Sequence, residues 1–251
     1  MQQFEASVLA RVTLRPTLIH LTFDTSTLAT PPAPGQFFMA RCEGVYLRRP
    51  LFACRIEPGR VAALLPLGQD LGLTWLAARQ VGEAVDLIGP LGRGFALEGP
   101  GGNLLLVGCG SGIASLLPLA EEALAGGWAV ALLAAFERPD LAVPTALLPP
   151  AVEYQMALGG AALEELELLL CDALPWADRI CATGGENLYP RLAAAIRESR
   201  LGLRPGLARV LVEVPMGCGV GACGVCAVET HRGLRQACHH GPVFDLAELA
   251  I

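Results

Sequence analysis

Hydrophobic and polar positions in the first hundred residues change over in short, strand-length runs. The runs at 6–14, 18–23, 36–41, 61–67 and 84–88 are rich in β-branched and aliphatic side chains. Pro31-Pro32, Pro34-Gly35, Pro58-Gly59 and Gly89-Pro90 punctuate them. Closely spaced strands divided by such turns predict an antiparallel barrel, interrupted by one short helix at 74–79. Near residue 100 the rhythm changes. An apolar run at 104–107 breaks into Gly108-Cys-Gly-Ser-Gly-Ile-Ala-Ser115, after which a helix is expected up to Ala125, where Gly126-Gly127 stops it. Strands at 129–135, 152–158 and 179–183 then alternate with helices at 163–170 and 188–198. In the last of these, Leu188, Leu192, Ala195 and Ile196 share one face. Alternation of this kind predicts a parallel, Rossmann-like sheet, with 208–214 as a candidate last strand. The expected division is a barrel at 1–99, an α/β domain at 100–205 and a small cysteine-bearing domain at 206–251.

Composition narrows the function classes. Hydrophobic residues make up 53% of the 251, enough for a well-buried core and too many for a disordered chain. No apolar run approaches the roughly 20 residues that a membrane-spanning helix needs. Met1-Gln-Gln-Phe-Glu lacks the basic start and apolar run of a secretory signal, so the expected address is the cytoplasm. A net charge of −6 argues against nucleic acid, which demands a basic footprint. All 18 basic residues are arginines, which excludes a G-K-S/T phosphate loop and a lysine Schiff base.

Of nine cysteines, Cys42, Cys54, Cys109, Cys171 and Cys181 are scattered among apolar neighbours and read as small core residues. The other four crowd into a glycine-rich segment, Cys218, Cys223, Cys226 and Cys238, spaced C-x4-C-x2-C-x11-C. The first three match the plant-type ferredoxin spacing, in which four thiolates hold a 2Fe–2S cluster. Glycine between them permits the positive φ angles and close N–H groups that a chain wrapped round a cluster needs. Structural zinc favours two separated Cys-x2–4-Cys knuckles, which the four-residue first gap fits poorly. A redox dithiol at Cys223 and Cys226 would leave Cys218 and Cys238 without a purpose.

Other signals are less specific. Gly108, Gly110 and Gly112, between a strand and a helix, make a layout that can cradle a pyrophosphate at a helix N-terminus, although a tight structural turn reads the same way. Thr183-Gly184-Gly185 follows a later strand and could meet the same ligand. Arg48-Arg49-Pro50 could clamp a phosphate bidentately or be a solvated pair.

Taken in order, these pieces resemble the electron-transfer subunit of bacterial NAD-linked dihydroorotate dehydrogenases, a branch of the ferredoxin–NADP reductase-like superfamily. The resemblance spans almost the whole chain. Pro34-Gly-Gln-Phe-Phe-Met, Leu47-Arg-Arg-Pro-Leu, Gly89-Pro-Leu-Gly-Arg-Gly-Phe95, the turn at Gly108 and the cysteine loop with Gly241-Pro-Val-Phe carry it. It implies FAD on the barrel, held by Arg49, Pro50, Leu51 and Phe52 and by backbone near Leu64, Leu65, Pro66, Leu71 and Gly72. It also implies NAD as co-substrate across Gly108, Gly110, Gly112, Thr183 and Gly184, with no catalytic acid or base. The implied partner is an FMN-containing dihydroorotate dehydrogenase subunit, in a hetero-oligomer expected to be a heterotetramer. The chain would pass electrons from that subunit through 2Fe–2S and FAD to NAD in pyrimidine biosynthesis. Three positions depart from the family pattern: Phe52 replaces a serine, Thr183-Gly184-Gly185 replaces C-G-P, and Ser115 stands where proline is common. Two rival readings are a reductase subunit for another partner (sulfide dehydrogenase, ferredoxin–NADP oxidoreductase or hydrogenase) and a non-enzymatic iron–sulfur module without FAD.

Overall fold

The computed structural model describes residues 1–199 and 202–251. Its N-terminal half is a barrel built where the sequence alternates. In β1 (Gln2–Arg15) and β2 (Leu18–Asp24), Ala6, Val8, Ile19, Leu21 and Phe23 turn inward while His20 and Thr22 stand at the edge of solvent. β3 (Phe37–Ala40), β4 (Arg49–Glu57), β5 (Arg60–Pro66) and β6 (Ala84–Leu91) close it in the order β1-β2-β5-β4-β3-β6. β4 is the strand that the hydrophobic pattern does not announce, because Pro50 opens it and Arg55 and Glu57 end it. Proline is tolerated there since residues 49–52 pair with β3 alone, and pairing with β5 begins only at Ala53.

Two arginines at the start of β4 have separate structural tasks. Arg48 grips Asp86 with both Nη atoms, at 3.1 and 2.8 Å, and also donates to the carbonyls of Met39 and Asp86. It thereby ties β4 to β3 and β6, and its hydrogen bonds hold the Asp86 carboxyl below the usual range. Arg49 instead donates from Nε to both oxygens of Asp70, at 2.9 and 2.8 Å. Asp70 is the N-cap of α1 (Leu71–Ala77), accepting from the Leu73 N–H at 2.9 Å. That cap explains why α1 starts three residues earlier than the expected 74.

The second half is a layered α/β unit. β7 (Asn103–Cys109), β8 (Ala129–Phe136), β9 (Glu153–Leu158), β10 (Arg179–Gly184) and β11 (Ala208–Val212) run parallel. Leu105 and Val107 face one core and Leu104 and Leu106 the other, so β7 is buried on both sides. α3 (Ala162–Ala173) and α4 (Leu188–Glu198) cover the first face with Leu166, Leu170, Leu192 and Ile196. α2 (Leu117–Ala125) covers the second with Leu119, Ala120 and Ala123, and there Phe52 and Leu64 of the barrel join the same core. The expected helix after the glycine turn is in two parts: a 3₁₀ stretch at Gly110–Leu116 precedes α2, which starts beside Pro118.

Beyond β11 the chain leaves the sheet, forms the hairpin β12 (Ala227–Thr230) and β13 (Gly233–Gln236), turns through α5 (Ala237–His240), and returns as β14 (Val243–Asp245). β14 pairs antiparallel with β11, giving the sheet order β14-β11-β10-β7-β8-β9. The parallel sheet therefore draws two strands from beyond residue 205, and the cysteine segment is an excursion from its edge. Among the described residues no helix is long and apolar enough to cross a membrane.

Candidate cluster and nucleotide sites

The excursion brings its cysteines together in two pairs. Cys226 and Cys238 are 1% and 3% exposed, and their sulfurs lie 3.3 Å apart. Cys226 sits at the base of the hairpin and Cys238 on α5; the Ala237 N–H donates to the Cys226 carbonyl at 2.8 Å and fixes their approach. Cys218 and Cys223 form the outer pair, linked by a side-chain hydrogen bond. Backbone N–H groups aim at the sulfurs: Gly221 donates to Cys238 Sγ at 3.1 Å and Val220 to Cys218 Sγ at 3.4 Å. Gly221 adopts φ +80°, which directs its N–H inward, and a Cβ there would lie 3.2 Å from that of His239. Burial works to raise the Cys218 thiol, but the N–H groups of Val220, Cys223 and Ala222 with the Cys223 side chain outweigh it and bring it down to about 6. A thiolate at neutral pH is the form that ligates a metal. Burial and the neighbouring Cys226 push Cys238 up to about 12, a penalty that a coordinating cation removes by deprotonating the thiol outright. Four sulfurs in two pairs, with N–H donors aimed at them, fit an iron–sulfur cluster. Among the described residues no three Cys, His, Asp or Glu side chains stand close enough together to hold a metal ion, so the four sulfurs are brought together as pairs and not as one group.

A cleft of about 380 Å³ lies between barrel and sheet, and Pro50, Leu51, Phe52, Leu64, Leu65 and Pro66 form its barrel wall. The opposite wall is Ser111, Gly112 and the stretch from Leu211 to Met216. An apolar slot with backbone at both edges suits a flat ring system. Phe52, where a serine was expected, packs on Phe37 at 5.7 Å between ring centres and supplies apolar wall instead of a hydroxyl. Leu71, 70% exposed, and Gly72 lie outside the slot beside Arg49. A Cβ at Gly72 would come within 2.9 Å of the Arg49 side chain, so glycine lets α1 approach that arginine.

A second cleft, also about 380 Å³, opens at the carboxyl ends of β7, β8, β10 and β11. Its position matches the topological switch point, since the chain runs outward from β7 through β8 and β9 before β10 returns on the other side. Gly110, Ser111, Glu137, Arg138, Gly185 and Asn187 line it. Gly108 does not: it is buried, and a Cβ there would overlap Ile113, so its part is packing. Thr183 is fully buried beneath the floor. Gly184 is anchored by Tyr189, whose hydroxyl accepts from the Gly184 N–H at 3.2 Å and shares its own proton between the carbonyls of Gly184 and Leu211.

Glu213 stands between the two clefts and lines both. Thr183 Oγ1 donates to its Oε1 at 2.9 Å, yet burial outweighs that bond and raises its carboxyl above the usual range. The sequence reading treated it as the end of a strand. The signal was present, as one acid inside the otherwise apolar run 210–216.

The two arginines should respond differently to truncation. Arg49→Ala should release flavin on gel filtration at least about tenfold more readily than wild type, since a desolvated charge-assisted bond is worth roughly 1.5–3 kcal/mol. Arg48→Ala should retain flavin but lower the melting temperature, because four hydrogen bonds of the barrel end on that guanidinium. Equal flavin retention by the two variants would remove Arg49 from the site.

Comparison with known proteins places these features. Residues 213–250 match the family model described as the iron–sulfur cluster binding domain of dihydroorotate dehydrogenase B. The chain is 30% identical to the dihydroorotate dehydrogenase B (NAD(+)) electron transfer subunit of Desulforamulus reducens, covering 96% of this chain and 95% of that one. It is 26% identical to the protein of the same name from a Geobacillus species, across the full length of both. Among solved structures, one of an NADH-dependent reduced ferredoxin–NADP oxidoreductase superposes with a TM-score of 0.83 at 22% identity, covering 97% of this chain and 89% of that one. A ferredoxin reductase of carbazole 1,9a-dioxygenase gives 0.64 at 22% identity, over 78% of this chain and 64% of that one. These structural likenesses bear on the fold, a barrel beside a nucleotide-type sheet.

Proposed function

The chain belongs to the family of dihydroorotate dehydrogenase B electron transfer subunits, and from that premise we propose that it carries electrons between an FMN-containing dihydroorotate-oxidising subunit and NAD. It is an oxidoreductase subunit with FAD and a 2Fe–2S cluster as its cofactors. The observation that carries this reading beyond the family name is the stacking of three sites along one path. The cysteine excursion, the slot at Phe52 and the cleft at Gly110 follow one another, and the stretch from β11 to Met216 borders the second and leads into the first. A flavin exchanges electrons in pairs and a 2Fe–2S cluster singly, so together they match a two-electron donor to a one-electron path.

The chain's own residues bind, orient and exclude water. Cys218 and Cys223 are assigned as one pair of cluster ligands, Cys226 and Cys238 as the other. Arg49 and the backbone at Leu64–Pro66 are assigned to FAD, with Pro50, Leu51 and Phe52 against its ring. Gly110 is assigned to NAD and Gly112 to the boundary between the nucleotide and flavin clefts, while Gly108, Thr183 and Gly184 support both from below. The exposed Val220 and Val225 on the cluster loop suit close approach by the partner subunit. The metabolic role of the family favours the cytoplasm. The division into 1–99, 100–205 and 206–251 is retained as a functional one, barrel, nucleotide unit and cluster segment.

Co-expression with an FMN-bearing dihydroorotate dehydrogenase subunit tests the proposal. The two should co-elute, and the complex should reduce NAD with dihydroorotate, while this chain alone should oxidise NADH only with artificial acceptors. Separate elution, with no dihydroorotate-dependent NAD reduction, would leave a reductase for another partner as the better reading.

A further inference from the structure

A third and larger cleft, about 860 Å³, lies away from both nucleotide clefts, where the barrel, the sheet edge and the cysteine excursion meet. Four arginines line it, one or two from each part: Arg93 from the turn after β6, Arg209 from β11, and Arg232 and Arg235 from the β12–β13 hairpin. In a chain of net charge −6 this is a concentrated positive region. Several arginines elsewhere are matched with carboxylates, as in Arg48–Asp86, Arg49–Asp70, Arg138–Asp140 and Arg191–Glu167. Here they are not. Among the described residues the side chains of Arg93, Arg232 and Arg235 have no ion pair or hydrogen-bond partner, and Arg209 reaches only Glu98, 3.5 Å away and 81% exposed. Two carboxylates line the same cleft. Asp245 is occupied by backbone, accepting from the N–H groups of Gly206 and Ala247, and Glu248 forms no ion pair.

Four arginines round one concave wall, against two carboxylates, leave a positive excess that the cleft concentrates. Each guanidinium presents a planar fork that matches phosphate oxygens bidentately. The volume lies in the range of small-molecule sites, and Phe244 and Val243 give it an apolar floor. We propose that this cleft binds a small molecule through a chain of two or more phosphates, which bridges the barrel turn, the sheet edge and the cluster hairpin. A chain of phosphates is favoured over a single one because the four guanidinium groups come from three separate parts of the molecule. A ligand held this way selects the arrangement in which the hairpin is seated against the barrel.

The probe is inorganic tripolyphosphate, added to the purified holoprotein at constant ionic strength, with thermal unfolding followed by fluorescence. A ligand that binds only the folded state raises the midpoint in a saturable way. The expected result is such a rise, not reproduced by sulfate, with the apparent Kd weakened at least about tenfold in the double variant Arg232→Ala/Arg235→Ala. Arg232 is exposed and Arg235 half-buried, and neither is bonded, so the double variant should fold and keep its cluster absorbance. Arg191→Ala, which breaks an ion pair elsewhere, should bind as wild type does. A flat response, an equal response to sulfate, or an unchanged Kd in the double variant would overturn the proposal. Failure of the double variant to hold its partner subunit, in a parent that ignores tripolyphosphate, would also overturn it and mark the cleft as a protein-docking face.

Discussion

Cys226→Ser is expected to abolish the iron–sulfur cluster while leaving the fold of the barrel and the sheet in place. Cys226 is the most enclosed of the four cysteines. Its sulfur touches Cys238 at 3.3 Å, and the Cys238 N–H points at it from 3.5 Å. Serine there shortens the ligand and replaces a soft sulfur by a hard hydroxyl with a far higher pKa, which iron in such clusters binds poorly. Visible absorbance and iron content should fall to background, whereas Cys109→Ser, outside the excursion, should keep both. Far-UV circular dichroism should be nearly unchanged, because β11 and β14 hold the ends of the excursion without help from the metal. Full iron and sulfide in the Cys226 variant would remove it from the ligand set.

Gly112→Ala should be clearly destabilising. A Cβ at this position would overlap the Glu213 carboxylate and stand 2.9 Å from Thr183 Oγ1. Something must move, and each option is unfavourable. Shifting Glu213 breaks its part-buried bond to Thr183, and shifting the 3₁₀ stretch disturbs the boundary between the clefts. Overpacking together with a lost part-buried hydrogen bond should cost about 3 kcal/mol. In a chain of this size that lowers the melting midpoint by roughly 6–12 °C. Glu213→Ala placed in the same background should restore most of it, since the methyl group then has room. A midpoint within one degree of wild type, or no recovery in the double variant, would show that the carboxylate does not fill that space.

Much of this was legible in the chain. The glycine-rich cysteine spacing singled out four residues, which the fold brings together as two pairs, because a ligand set leaves a local signature of spacing. The parallel strands were visible as apolar runs, since β7 is buried on both faces. What escaped notice depends on contacts distant in sequence. β4 begins at Arg49-Pro50, where local propensity opposes a strand and pairing to β3 decides otherwise. Only the family resemblance set Arg49 apart from Arg48; Asp86 and Asp70, each some distance on, separate their structural tasks. Glu213 gained its position only when β11 was laid beside β10 and the turn at Gly112 was folded over it. β14 is three residues long, too short for any periodicity to declare it.

The pairing of β11 with β14 has a bearing on the order of assembly. Residues 213–242 form a loop whose ends are already joined by sheet hydrogen bonds, so the entropy of closing it, about 3 kcal/mol for a chain of that length, is met by the sheet. Iron then has only to order the interior of a loop that is already closed. Polypeptide folding can precede metal loading, with the apoprotein waiting as a nearly finished body whose cysteine segment is the last part to settle. Maturation machinery would therefore meet a folded client rather than a nascent one.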